Sequence, residues 1–268
     1  MKTLSTTSLF LLFFLVCPNI EAQFFKNLTK RVEQKVENTV IDKTANKAAE
    51  KASKSMDKVF EINPFEGGKE KADPNLVANS YDFTWKYSMK MSTEKGDMTF
   101  DYYLKPDATY FGFTSATMQN MFTIMDNSNN VTVMFMESKG NKIGMVTSMN
   151  VDLDIDQAKD ESAKYTFEQL PDKTINGYHC KGVKAYNDEH EMVMYLTNDT
   201  EVSFDNIYKT GKTKVPVQLK DYFKPDDKIL MIRMDMNNLK NKKESATMEC
   251  IGLEKVSKTI KKSDYKFM

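Results

Sequence analysis

Residues 81–92 read YDFTWKYSMKMS and alternate without a break. In an extended chain Tyr81, Phe83, Trp85, Tyr87, Met89 and Met91 share one side, and Asp82, Thr84, Lys86, Ser88, Lys90 and Ser92 share the other. At ~3.3 Å per residue such a strand runs to about 35 Å, longer than most strands. An apolar side of that length needs a large apolar surface against it. A wide barrel or half-barrel with an apolar concave face provides one, and the inward side chains then meet a core, a covering helix or a bound apolar molecule.

The same period of two continues toward the C-terminus. After the turn Glu94-Lys95-Gly96-Asp97, Met98, Phe100, Tyr102 and Leu104 alternate again, which predicts a hairpin. Further strands are expected at 109–114, 121–125, 131–136, 143–149, 165–169, 177–186, 191–197, 229–236 and 246–256, separated by short polar breaks. Residues 152–164 are acidic and polar and read as a surface excursion, and 199–225 are irregular, with a short helix expected near Asp205 or Leu219. About ten strands over roughly 190 residues fit one domain. A sheet of that size curls or closes, because twist accumulates and open edges invite aggregation.

The N-terminus has a different character. Lys2 precedes an apolar run, Leu9 to Val16, of about eight residues, too short for the roughly 20 that span a bilayer. With Ile20-Glu21-Ala22 as the cleavage site, 1–22 reads as a secretory signal peptide and the mature chain starts at Gln23. Val16 stands where a lipoprotein signal needs a small residue before Cys17, which disfavours acylation there. From Phe25 through Leu28, Val32, Val36 and Val40, and then from Ala48 or Ala49 through Ala52, Met56 and Val59, apolar residues recur at three- and four-residue steps among Lys and Glu. Residues 23–62 are therefore expected as a long amphipathic helix, solvated or leaning on the domain, with peripheral membrane contact as the alternative. Asn63-Pro64 and Gly67-Gly68 end it, so 63–78 reads as a linker and 79–268 as the β domain.

Composition excludes some functions and leaves others open. The chain of 268 residues carries 38 Lys and Arg against 38 Asp and Glu, and removing Lys2 and Glu21 with the signal takes one charge of each sign. A neutral protein of this kind is not expected to bind nucleic acid. Outside the signal, Cys180 and Cys250 form an even pair in an oxidising compartment, so a disulfide closing a loop of about 70 residues is expected, worth ~4 kcal/mol in the chain-entropy description. Two separate buried thiols are the alternative.

The 19 methionines are a strong bias, and many fall in the strands. Met89/Met91, Met134/Met136, Met192/Met194 and Met234/Met236 are each spaced by two, so both sulfurs of a pair emerge on one face. Three readings stand side by side: an adaptable lining for an apolar ligand, soft thioether donors for Cu(I), and a plain core in which Met replaces Leu. The chemistry of catalysis is thinly represented. There are two histidines, His179 and His190, and neither CxxC, HExxH nor GxSxG occurs. Asp152, Asp154 and Asp156 resemble the start of a calcium loop, but Gln157 and Ala163 stand where that loop needs Gly and Glu. Gly211-Lys212-Thr213 lacks the first glycine of a phosphate loop, since residue 206 is Asn. No metal, cofactor or catalytic residue is therefore expected.

The segments RVEQKVENTVIDKTANKAAEKASKSMDKVF, YDFTWKYSMKM, NMFTIMDNSNNVTVMFME, INGYHCKGVKAYNDEHEMVMYLTND and SDYKFM together resemble the secreted domain of unknown function numbered four-four-one-two, frequent in Bacteroidetes. The most specific parts are Asn176-Gly177-Tyr178-His179-Cys180 and the Met-rich strands around Asp126. That family has no established activity, so the resemblance implies no catalytic residues. The pattern is also similar to the periplasmic lipoprotein-carrier (LolA-like) proteins, in which a curved antiparallel sheet and a helix enclose acyl chains. This second likeness concerns fold alone.

The fold class expected is mainly β: a large curved antiparallel sheet, a half-barrel or incomplete barrel, preceded by a long N-terminal amphipathic helix. The function expected is non-catalytic binding of a lipid or acyl chain, with Phe83, Trp85, Tyr87, Met89, Met91, Phe100, Tyr102, Met134 and Met136 as lining. The rival readings are a Cu(I)-handling protein and a structural or interaction domain with a filled core. The compartment expected is the periplasm or the exterior, with outer-membrane association left open. N-terminal sequencing of the exported protein should begin at Gln23; an intact residue 1–22 segment would remove the export reading.

Overall fold

The computed structural model describes residues 70–94, 96–116, 120–138, 140–149, 165–204 and 227–267. The expected signal peptide, the amphipathic helix 23–62, the acidic segment 152–164 and Gly211-Lys212-Thr213 lie outside the described residues. No helix among the described residues is long and apolar enough to cross a membrane.

The alternating segments form β1 (Ser80–Thr93), β2 (Gly96–Leu104), β3 (Tyr110–Ser115), β4 (Met121–Asp126), β5 (Val131–Ser138), β6 (Asn141–Ser148), β7 (Thr166–Ile175), β8 (Tyr178–Tyr186), β9 (His190–Thr197), β10 (Leu230–Asn238), β11 (Ala246–Lys261) and β12 (Lys266–Phe267). They make one open sheet of 12 strands in the order β12-β6-β5-β4-β3-β2-β1-β11-β10-β9-β8-β7. Every pairing is antiparallel except β12 with β6. Two meanders, β1 to β6 and β7 to β11, are joined where β1 pairs with β11 from Ser80↔Lys261 to Thr93↔Ala246.

Several differences from the sequence reading have physical causes. β7 runs through Pro171 because it is an edge strand, where a missing N–H costs no ladder bond, and its register shifts between Leu170 and Lys173. Asn176 and Gly177 both have positive φ, 51° and 84°, which suits the two-residue turn into β8. Within the expected linker 63–78, residues 71–77 make contacts with the sheet. Lys71 bridges Thr147 on β6, the Ala72 N–H donates to the Val146 carbonyl at 3.2 Å, and Val77 is buried. These residues and β12 lie along the edge of β6.

The sheet curls. Asn176, in the β7–β8 turn, donates from Nδ2 to the Cys250 carbonyl at 2.8 Å, although β9 and β10 stand between β8 and β11 in the sheet order. On the same side, the Tyr87 hydroxyl donates to the Met231 carbonyl of β10, across β11.

Two buried clusters result, on the two faces of the sheet. Phe111 and Phe113 of β3 and Met125 of β4 belong to the first, and Phe122 and Ile124 of β4 to the second. Alternation puts the two sets on opposite faces. The first, inner cluster also holds Tyr87, Met89 and Met91 with the methionines of β9 to β11; the second holds Val77, Val131, Val133, Phe135 and Val146. β1 serves both. Tyr81 and Phe83 belong to the second cluster, and the change comes at the register irregularity between Phe83 and Trp85. The polar side of β1 is matched by the Ser88 hydroxyl on Asp101 at 2.5 Å and by Lys86–Glu254 and Lys90–Asp97 ion pairs at 2.5 and 2.6 Å.

The second cluster leaves no room over Gly112. A Cβ there would stand 2.4 Å from Phe122 Cζ and 3.0 Å from Phe83 Cζ. Phe122 is held edge-on against Phe83 and Tyr103, with ring centroids 5.6 and 5.1 Å away, so it cannot move aside without loosening both contacts. Gly112→Ala should therefore destabilise the domain by about 1–3 kcal/mol, read as a lower denaturant midpoint. An unchanged midpoint would show that the rings yield freely.

Candidate functional site

The inner face is built outward from β1. Tyr87, Met89 and Met91 stand opposite Tyr102, Phe100 and Met98 of β2 and opposite Leu253, Cys250 and Met248 of β11. Tyr87, Met89 and Met91 are almost wholly buried, whereas Trp85, Met98, Phe100 and Tyr102 remain half-buried. The result is a strip of large apolar side chains along β1 and β2 in which Trp85, Met98, Phe100 and Tyr102, with Leu253 of β11, keep partial exposure.

Phe204 lies over this strip. Its ring is 5.5 Å from Tyr102 and 5.4 Å from Phe111, both edge-on, and 6.2 Å from Tyr87. It follows β9 in a stretch that reads as irregular, and a single aromatic among polar residues gave no periodic signal. Trp85 is covered on one side by a cation, with Lys255 Nζ 5.2 Å from its ring, and Lys255 also pairs with Glu201 at 3.2 Å. Burial raises the Tyr87 phenol well above its ordinary pKa, as does the neighbouring Cys250 thiol. Tyr87 thus stays a neutral donor to the Met231 carbonyl.

The expected lining residues divide. Trp85, Tyr87, Met89, Met91, Phe100 and Tyr102 come together at the inner cluster. Phe83 does not; it packs with Phe122 and Tyr103 on the other face. Met134 and Met136 face the same side as Phe113 through the pairs Phe113↔Thr123, Thr123↔Met134 and Met121↔Met136, but they lie outside the inner cluster.

The two cysteines expected as a disulfide stand unbridged in this structure. Cys180 and Cys250 are free, buried thiols. They lie on β8 and β11, which are not neighbours in the sheet, and each is turned toward a carbonyl of its own strand: Cys180 Sγ lies 3.4 Å from the Tyr178 oxygen and Cys250 Sγ 3.6 Å from that of Gly252. Burial pushes the Cys180 thiol up to about 11 and raises that of Cys250.

Among the described residues no group of three or more His, Cys, Asp or Glu side chains converges as a metal site would require. His179 is exposed and faces Asp172, with Nε2 3.3 Å from the carboxylate. His190 is buried, and its Nε2 has no hydrogen-bond partner.

An open, curled sheet with an aromatic and methionine inner face thus defines a β-sheet domain with an apolar concave surface. The chain belongs to the family of domain of unknown function DUF4412, which matches residues 83–257. No curated protein matches it. Among solved structures it is similar to PNGF-II, with 11% identity and a TM-score of 0.36 over 69% of this chain and 30% of that one. It therefore spans under a third of PNGF-II. It is also similar to an uncharacterised conserved protein from Thermus thermophilus, with 8% identity and a TM-score of 0.36 over 68% of this chain and 82% of that one. A LolA superfamily protein from Nitrosomonas europaea is similar at 7% identity and a TM-score of 0.25, over 68% and 89% of the two chains.

The thiol assignment has a direct check. Folded mature protein should react slowly with a disulfide reagent at pH 8, because both sulfurs are buried and largely protonated. Denaturation without reductant should release both thiols at once. Release of none would restore the disulfide.

Proposed function

We propose that this protein is an exported, non-catalytic carrier or receptor for an apolar ligand, a lipid or acyl chain, held along the inner strip of β1 and β2. The observation that supports it is the incomplete cover over Trp85, Met98, Phe100 and Tyr102, directly beside side chains that are fully buried. A core packed only for stability gains by burying all of its large aromatics, each worth about 1.5–3 kcal/mol. A strip left half open can complete its burial with a ligand. Methionine and aromatic rings suit that role, since flexible thioethers adapt to a chain of variable shape and the rings present broad faces. The signal-like 1–22 segment supports export, and the amphipathic 23–62 segment supports contact with a membrane surface during loading.

The chain carries a single tryptophan, and it stands in the strip. Dibromostearate, whose bromines quench indole only on contact, should quench Trp85 fluorescence saturably and be displaced by unlabelled stearate. Phe100→Ser should weaken this binding by about tenfold or more, since losing a buried aromatic contact of ~1.4 kcal/mol or more corresponds to that factor. Absent or unsaturable quenching, or quenching indifferent to Phe100→Ser, would leave the strip without a ligand.

A further inference from the structure

The methionine pairs converge in a way their spacing alone does not require. On β9 and β10 two Met-x-Met segments lie face to face, with Met192 opposite Met236 and Met194 opposite Met234. The row continues across the sheet through Met234↔Met248, Met248↔Met91 and Met91↔Met98, so five adjacent strands each present a methionine at one level. Directly paired residues of an antiparallel sheet have Cβ atoms about 5 Å apart, within reach of each other's thioethers.

His190 stands on the same face of β9, one residue pair beyond Met192 and Met236. It is the first residue of β9, paired with Asn238, and alternation places it on the side of Met192 and Met194. It is 6% exposed, and its Nε2 is buried with no hydrogen-bond partner. A buried imidazole nitrogen without a partner is costly; Asn238, directly opposite, commits its side chain to Glu244 and to the Lys240 and Asn241 N–H groups, and the next neighbours on this face, Met192 and the diagonal Met236, offer only weak acceptors. They are, however, good ligands for a soft cation. Thioethers select Cu(I) over the harder divalent metals, and neutral imidazole completes such a site. His190 adjoins the exposed turn residues Asp188 and Glu189, so the position is at the rim of the sheet and not in its centre.

We propose that Met192, Met236 and His190 form a site for one Cu(I) ion at the rim of β9 and β10, with Met194 and Met234 behind them. This site is separate from the β1–β2 strip and does not depend on an apolar ligand there. Binding involves no redox step: Cu(I) keeps its oxidation state and its single positive charge on three neutral donors.

Silver(I), a redox-stable probe of the same softness, tests it on the mature protein. Titration should show one ion bound per chain, with shifts of the Met192 and Met236 ε-methyl resonances and of the His190 ring. The Met192→Leu/Met236→Leu variant conserves volume and should keep the fold while losing that 1:1 complex. Should the double variant fail to fold, His190→Gln is expected to lose the same methyl shifts. No uptake by the wild-type protein would overturn the site. Uptake undiminished in these variants would overturn it equally, placing the ion on the Cys180 and Cys250 thiols.

Discussion

The β1–β11 ladder is the constraint on which the rest of the structure depends. β1 pairs with β2 through a short turn, which is local and cheap to form. Its other edge pairs with β11, about 180 residues further along the chain in the case of Ser80 and Lys261, and that contact must be closed against a substantial loop entropy. Once made, it joins two meanders into a single sheet and places β1 near its middle. The length of β11, 16 residues, follows from the same demand, since it must match a partner of 14.

The register irregularities in that ladder decide which cores the two strands serve. Between Phe83 and Trp85 the apolar side of β1 passes from the outer cluster to the inner one. Tyr81 then donates from its hydroxyl to the buried carboxylate of Asp126 at 3.0 Å, and Asp126 also accepts from the side chain of Asn129 at 2.7 Å, fixing the β4–β5 turn. The C-terminal half of β11 follows the same division. Ile260 joins the outer cluster, and Lys258 lies over the rings of Tyr103 and Phe122 at 5.1 and 4.7 Å. Ala72, Ala78, Tyr265 and Phe267 pack against the outer cluster, and Trp85, Met98, Phe100 and Tyr102 against the inner one.

Much of this was legible in the alternation of residues. The period of two located every strand of the meanders, because a half-buried strand shows its faces in sequence. The extension of β7 past Pro171 was not, since only its position at the sheet edge makes proline harmless there. The split role of β1 was also hidden: Tyr81, Phe83, Trp85 and Tyr87 alternate perfectly, and the irregularity that separates them lies in the pairing with β11. Within the candidate site, Trp85, Tyr87, Met89, Met91, Phe100 and Tyr102 were readable from the two strands that carry them. Phe204 was not, because a lone ring in an irregular stretch has no period. For the cysteine pair, count and compartment favour a bridge but say nothing of how the sulfurs are placed: curling brings β8 back toward β11, with Cys250 within electrostatic reach of Cys180, while each sulfur turns to a carbonyl of its own strand.

Native mass spectrometry of the mature protein, purified from its own export route without detergent, tests the central claim that the inner strip is completed by an apolar ligand. The account predicts a mass above that of the chain from Gln23, with the excess removed by organic extraction and identified as an acyl-bearing species. The mass of the bare chain, unchanged after incubation with lipid vesicles, would contradict it.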